Sequence, residues 1–190
     1  MKLRNSLSAL TLLLTPTLAF AHTGHGTSGL LAGLSHPLGG LDHLLAMLAV
    51  GLWAAQQQGQ ARWALPLTFI ASLLLGGLLG FAEIQVPQLE TGIAGSVLAL
   101  GLLVAVAARL PMAAALGLTT LFGLSHGIAH GLELPGASSP LDYTLGFVAA
   151  TALLHASGYA LARYLPLATA GLVRLAGAST AGAGLWLLAS

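Results

Sequence analysis

From Ser28 to Leu188 the chain is a run of long apolar stretches separated by short polar connectors. Six stretches, at about Ser28–Ala55, Ala64–Ala82, Thr91–Ala108, Met112–Leu132, Leu141–Ala162 and Leu167–Leu188, each lie near the roughly 20 residues that a helix needs to cross a bilayer. Small residues recur four apart at Gly29/Gly33, Gly76/Gly80 and Gly123/Gly127/Gly131. Such spacing lets membrane helices approach closely. The pattern predicts an all-α integral membrane protein, a compact bundle of six transmembrane helices. The Gly/Ala-rich sixth segment suits packing within the bundle or against another subunit in a homo-oligomer.

Ahead of the first stretch, residues 1–21 read as a cleaved signal peptide. Lys2 and Arg4 form a charged start, Leu7 to Leu18 an apolar middle, and Ala19-Phe20-Ala21 a small-residue cleavage site. Cleavage after Ala21 makes residues 22–190 one membrane domain that begins at His22, with His25 close behind. A free amine beside an imidazole chelates divalent metals, so His22 and His25 are candidate additional ligands.

Only 6% of the residues are charged and 56% are hydrophobic, against roughly 25% charged in a soluble domain. No basic stripe or nucleic-acid motif is present, nor an ATP-binding motif. Cysteine is absent, which removes disulfides, thiolate metal sites and cysteine nucleophiles. The few charges alternate along the connectors: Arg62, Arg109 and Arg163 mark every second one, and acids mark the others. By the positive-inside rule the arginine connectors face the cytoplasm. Both mature termini then lie in the periplasm of a bacterial inner membrane. Arg174 fits less well, falling inside the sixth segment; it snorkels, or that helix starts later. Trp53, Trp63, Tyr164 and Trp186 read as interfacial anchors.

Against this apolar background two polar concentrations stand out. The first is His36-Pro37-Leu38-Gly39-Gly40-Leu41-Asp42-His43. Pro37 lacks an N–H and its ring crowds the carbonyl one turn back, and Gly39 and Gly40 weaken the following turn. A helix broken at Pro37/Gly39/Gly40 is therefore expected, lining a cavity, since irregular backbone at membrane depth is tolerated only there or when buried in protein. The second is His126-Gly127-Ile128-Ala129-His130-Gly131-Leu132-Glu133. Spacings of four and seven put His126, His130 and Glu133 on one helical face, the i, i+4 geometry that chelates one metal. The intervening residues lack the glutamate of a zinc protease motif.

The glycine ladder beside these imidazoles invites a close neighbour, and the broken first helix is the expected one. Counting inward places His36 and His126 at a common depth of roughly 12 Å, with His130 and Glu133 at a mouth and Asp42 and His43 near the midplane. His36 and His43 are about 10 Å apart along a regular helix, so one distorted site or two successive sites remain open. Intramembrane ionisable groups are functional hypotheses by default. His36, Asp42, His43, His126, His130 and Glu133 are thus the candidate metal ligands, and His155, alone in the fifth segment, reads first as structural and second as a later station on the path, an additional candidate ligand. Glu83, Glu90 and Asp142 read as solvated boundary charges, and Met47 as packing. Imidazole with carboxylate suits Ni²⁺, Co²⁺, Zn²⁺ or Cu²⁺ over Mg²⁺ or Ca²⁺.

The stretches HPLGGLDH and HGIAHGLE resemble the two signature motifs, HPxxGxDH and FHGxAHGxE, of the HupE/UreJ family of nickel/cobalt permeases. The likeness extends over the whole chain: signal peptide, early histidine, six helices and the placement of both motifs. Ser125 departs from the pattern, standing where the family usually has Phe. The resemblance implies passage of Ni²⁺, or secondarily Co²⁺, from periplasm to cytoplasm, with no catalytic cofactor, by a facilitator or secondary transporter rather than an enzyme. A membrane metal sensor, an accessory subunit of a metalloenzyme and an intramembrane metalloenzyme are the competing readings.

Overall fold

The structure, a computed structural model, describes residues 29–133, 139–164 and 170–190. The expected signal peptide, its cleavage point, His22 and His25 lie outside the described residues. Among the described residues the secondary structure is helical, with no strand. Seven helices follow in order: α1 Gly29–Gly39, α2 Leu41–Gln56, α3 Ala61–Phe81, α4 Leu89–Ala105, α5 Met112–Leu132, α6 Pro140–Tyr164 and α7 Ala170–Ala189.

The first predicted segment is two helices, α1 and α2, meeting at 85°. The break falls at Gly40, which is extended (φ −101°, ψ 119°). Pro37 is accommodated three residues earlier, in the last turn of α1. The glycine is needed for a steric reason. A Cβ at residue 40 would stand 2.9 Å from Asp42 Oδ1 and 3.2 Å from His43 Nδ1, so any other residue would push these two side chains aside from the turn.

Among the described residues, α3, α5, α6 and α7 are long and apolar enough to cross a membrane, and the bent α1–α2 pair makes a fifth if counted as one span. Helix α4 is apolar but has 17 residues, about 26 Å at the helical rise, against a hydrocarbon core of about 30 Å. The segment expected to run to Ala108 stops at Ala105 because Ala107 takes a left-handed conformation (φ 51°). The N–H of Ala108 then donates to Leu103 O at 2.9 Å and that of Ala107 to Val104 O at 3.1 Å, a Schellman ending.

Glycines set the helix pairs. A Cβ on Gly76 or Gly80 of α3 would run into the Leu124 or Ile128 carbonyl oxygen of α5, and one on Gly127 or Gly131 into those of Leu73 or Gly77. The ladder Gly123/Gly127/Gly131 therefore packs on α3, not on the broken helix as expected. Each glycine follows a face-defining residue by one position, about 100° around the helix, so α5 offers its glycines to α3 and its histidines to α1 and α2. Similar close approaches join α4 to α7 at Gly101 and Gly177, α1 to α6 at Gly33 and Gly146, and α2 to α6 at Gly51 and Gly158.

Helix α2 lies at the centre. Met47, Val50 and Trp53 are fully buried with Leu65 and Phe69 of α3 and Val97, Leu100 and Val104 of α4. Trp53 is thus a core residue rather than an interfacial anchor, and its Nε1–H donates to Ala108 O at 2.9 Å. Trp63, Tyr164 and Trp186 are exposed, as are Leu67, Leu75, Leu78, Leu153, Leu172 and Leu185 on the outward helix faces.

Arg62, Arg109 and Arg163 line one cavity of about 800 Å³ with Gln56, Gln57 and Gln58, so the arginine connectors share one end of the bundle. Arg174 belongs to that end too. It sits in the second turn of α7, and its Nε–H donates to Ala105 O at 2.7 Å, at the C-terminus of α4.

Candidate metal path

Four histidine rings stand in sequence from an exposed mouth into the core. His36, in the last turn of α1, meets Glu133, the residue that ends α5, at 3.0 Å between Nε2 and Oε2. Their side chains are 30% and 52% exposed, so this pair faces out of the bundle. The His36 ring lies 4.8 Å from that of His130, His130 lies 4.1 Å from His43, and His43 lies 4.7 Å from His126. His130, His43 and His126 are buried, the last completely.

The ring contacts are edge-on, with interplanar angles of 72°, 67° and 84°. Ligand atoms of His36, His130 and Glu133 lie within 4.8 Å of one another. That is close enough for one metal ion to draw all three together.

The partners of each ring decide what it offers. His43 Nδ1 lies 2.6 Å from Asp42 Oδ1, which also accepts the His43 backbone N–H at 2.7 Å. A carboxylate accepts, so the Nδ1 proton is donated and the lone pair sits on Nε2, buried and without a hydrogen-bond partner. His126 meets Ser96 Oγ through Nε2 at 2.8 Å and leaves Nδ1 without one. His130 has neither nitrogen paired. Buried imidazole nitrogens normally find partners; three consecutive rings here each keep a nitrogen without a protein partner, as His155 does at Nε2.

Hydrogen bonding from His36, joined by the charge of that ring, holds the Glu133 carboxyl below its ordinary value, with partial burial acting the other way. The mouth carboxylate therefore stays ionised at neutral and mildly acid pH.

The structure brings together all six expected side chains, with a different pairing. His36 was expected beside His126. It lies beside His130 and Glu133, because α1 ends at Gly39 and the chain turns through 85° before going deeper. His126 faces His43 instead. The separation of His36 and His43 is resolved by the break, which sets them on either side of the His130 ring.

His155 is not part of this line. Its Nδ1–H donates to Met47 O at 2.8 Å, tying α6 to α2, and the Phe69 ring intervenes, 5.2 Å from His155 and 5.9 Å from His126. Met47 is fully buried, with the Thr151 hydroxyl, which donates to Phe147 O at 2.9 Å, lying 3.4 Å from its Sδ, in keeping with a packing role. Glu83, Glu90 and Asp142 are exposed.

Three contributors escape a reading of the sequence. Phe147 packs on His130 with ring centroids 3.9 Å apart, and Tyr143 lies 5.7 Å from the His36 ring. Ser96 backs His126. Tyr143 and Phe147 have the i, i+4 spacing of ordinary core aromatics, and Ser96 is one hydroxyl in an apolar helix, so neither carries a signal of its own.

The HupE / UreJ protein family model matches residues 10–187. The chain belongs to the HupE/UreJ family. It is also 45% identical over 189 residues to Protein HupE of Rhizobium leguminosarum bv. viciae, covering 98% of this chain and 97% of that protein. No solved structure matches the chain. Family membership and the apolar helices together make it a multi-pass membrane protein of the HupE/UreJ type. In this HupE/UreJ chain the two histidine-rich stretches are far apart in sequence and close as one line of rings.

Proposed function

We propose that the chain carries a divalent transition metal, Ni²⁺ or Co²⁺, across the bacterial inner membrane from periplasm to cytoplasm. The observation that carries this reading is the row His36, His130, His43, His126. It runs from an exposed mouth to full burial, with unpartnered ring nitrogens on the three buried members. A transported ion needs ligands that are available and successive, and a row of free lone pairs supplies both.

In this reading six segments cross the membrane, α1–α2 as one bent span and α4 as a short one, with both termini of the processed chain outside. The hydrated ion is captured at the mouth by His36, His130 and Glu133, with the His22 and His25 region as an added lure. Glu133 supplies negative charge where the ion sheds its first waters. His130 has both nitrogens free and rings on either side, so it passes the ion from the mouth to His43 and His126. Asp42 stabilises the cation at depth through the His43 ring, since a carboxylate behind an imidazole raises its basicity as a ligand. Zn²⁺ and Cu²⁺ compete for the same donors. No step forms or breaks a covalent bond, so the chain acts as a carrier rather than an enzyme.

Uptake of Ni²⁺ and Co²⁺ into proteoliposomes tests the proposal, with and without a proton gradient. Saturable uptake by the wild type that His36→Ala and His130→Ala both abolish is expected. Metal binding by the wild type without any uptake would overturn it in favour of a sensor or accessory role.

A further inference from the structure

The inner end of the histidine row rests on a residue of α4. Ser96 is completely buried, and its Oγ has two polar neighbours, Ile93 O at 2.7 Å and His126 Nε2 at 2.8 Å. A hydroxyl has one proton, and a carbonyl oxygen only accepts. The Ser96 proton therefore goes to Ile93, and Oγ meets His126 as an acceptor. The His126 proton must sit on Nε2, which leaves the lone pair of the neutral ring on Nδ1. That nitrogen is buried and unpaired.

His43 is held by the same logic through its other nitrogen: Asp42 takes the Nδ1 proton and Nε2 keeps the lone pair. Two rings 4.7 Å apart thus each keep one lone pair free, and each is held from behind by an acceptor. That is the arrangement by which acceptors behind metal-binding histidines fix ring orientation and tautomer.

We propose that Ser96 is a positioning residue that holds His126 in the Nε2–H tautomer and so makes Nδ1 a metal donor at the inner end of the path. The inference rests on the reading of His126 as a metal ligand. It also gives the row a direction. A carboxylate backs His43 and a neutral hydroxyl backs His126, so His126 has the weaker electrostatic support as a ligand. The last ring binds less tightly than the one before it, which favours release inward over retention.

The test compares wild type, Ser96→Thr, Ser96→Val and Ser96→Ala as full-length protein in proteoliposomes. One readout is the saturation curve for Ni²⁺ uptake; the other is nitrogen-15 NMR of labelled histidine on the same samples without metal. Wild type and Ser96→Thr are expected to show His126 protonated on Nε2. Ser96→Val matches threonine in shape and lacks the hydroxyl; it and Ser96→Ala are expected to populate both tautomers. Their uptake should fall by about 10–100-fold, with kcat falling more than KM because the mouth is untouched.

Wild-type His126 protonated on Nδ1 would overturn the proposal, as would Ser96→Val with wild-type uptake. If Ser96→Val does not fold, the wild-type spectrum and Ser96→Ala decide. If the wild type moves no Ni²⁺, it is the permease reading that fails. The tautomer, and the shift of His126 Nδ1 on adding Ni²⁺, still support or refute the role of Ser96.

Discussion

His130 is the ring on which the proposed path turns, since it touches His36, His43 and Phe147 and neither of its nitrogens is engaged. Truncating it removes a ligand from the mouth and the link to the interior together. His130→Ala should therefore lower Ni²⁺ uptake more than Glu133→Gln, which keeps a hydrogen-bond acceptor for His36 and loses only charge. Uptake curves for the two variants measure that ordering. Acid should act through the imidazoles. A depressed carboxyl pKa means that Glu133 keeps its charge, and its contact with His36, above its ordinary titration range and loses them only as pH falls through the lowered value. Only neutral imidazole is a ligand, so protons compete with the ion for the ring nitrogens. Uptake should decline between about pH 7 and 5 as protons displace metal; a rate that stays flat over that interval contradicts histidine ligation.

At this scale the sequence singled out the six side chains that the structure gathers and was silent about which of them meet. All six ionisable groups were legible because histidine and carboxylate are costly in an apolar helix. Their pairing depended on the bend at Gly40, whose angle no local pattern encodes. Ser96 was hidden because one hydroxyl in an apolar helix is ordinary.

Among the elements, α5 matches its predicted bounds, since Pro111 precedes it and no proline interrupts it up to Leu132. The C-terminal end of α4 moved at a left-handed residue. Ala107 closes α4 with φ 51°, a conformation that costs an L-residue roughly 1–2 kcal/mol and glycine far less. Ala107→Gly should thus stabilise the protein, by about 1 kcal/mol or somewhat less, read as a higher midpoint of thermal unfolding in detergent. The opposite sign is expected at the α3–α5 contact. Gly127→Leu would force α5 off the Leu73 carbonyl, and overpacking of this kind costs about 1–3 kcal/mol. Because the same helix carries His126 and His130, both unfolding midpoint and uptake should fall. Gly40→Ala is different: it should spare the packed helix pairs, displace Asp42 and His43, and reduce uptake with a smaller loss of stability.

For the whole molecule, charge separates along the bundle. Arg62, Arg109, Arg163 and Arg174 gather at one end, while Glu83, Glu90, Glu133 and Asp142 lie at the opposite helix ends, and Asp42 is the acid drawn inside. The alternation of arginines and acids along the connectors already carried this polarity, because successive membrane helices reverse direction. The short reach of α4 was not legible, since its apolar run continues past the point where the backbone turns.

If arginine connectors face the cytoplasm, a thiol on that side is reached only from within. The chain has no cysteine, so single-cysteine variants report cleanly. Gln58→Cys should label with a membrane-impermeant reagent in inverted vesicles and not in intact spheroplasts, and Gln85→Cys should do the reverse.

The most direct test of a stepwise path separates capture from passage in one sample. Ni²⁺ binding and Ni²⁺ flux would be measured on the same His126→Ala proteoliposomes. The mouth of His36, His130 and Glu133 is intact in that variant and the innermost ring is gone. Binding is therefore expected to persist near the wild-type level while flux drops by about tenfold or more. Flux equal to that of the wild type would contradict a metal path through the buried histidines.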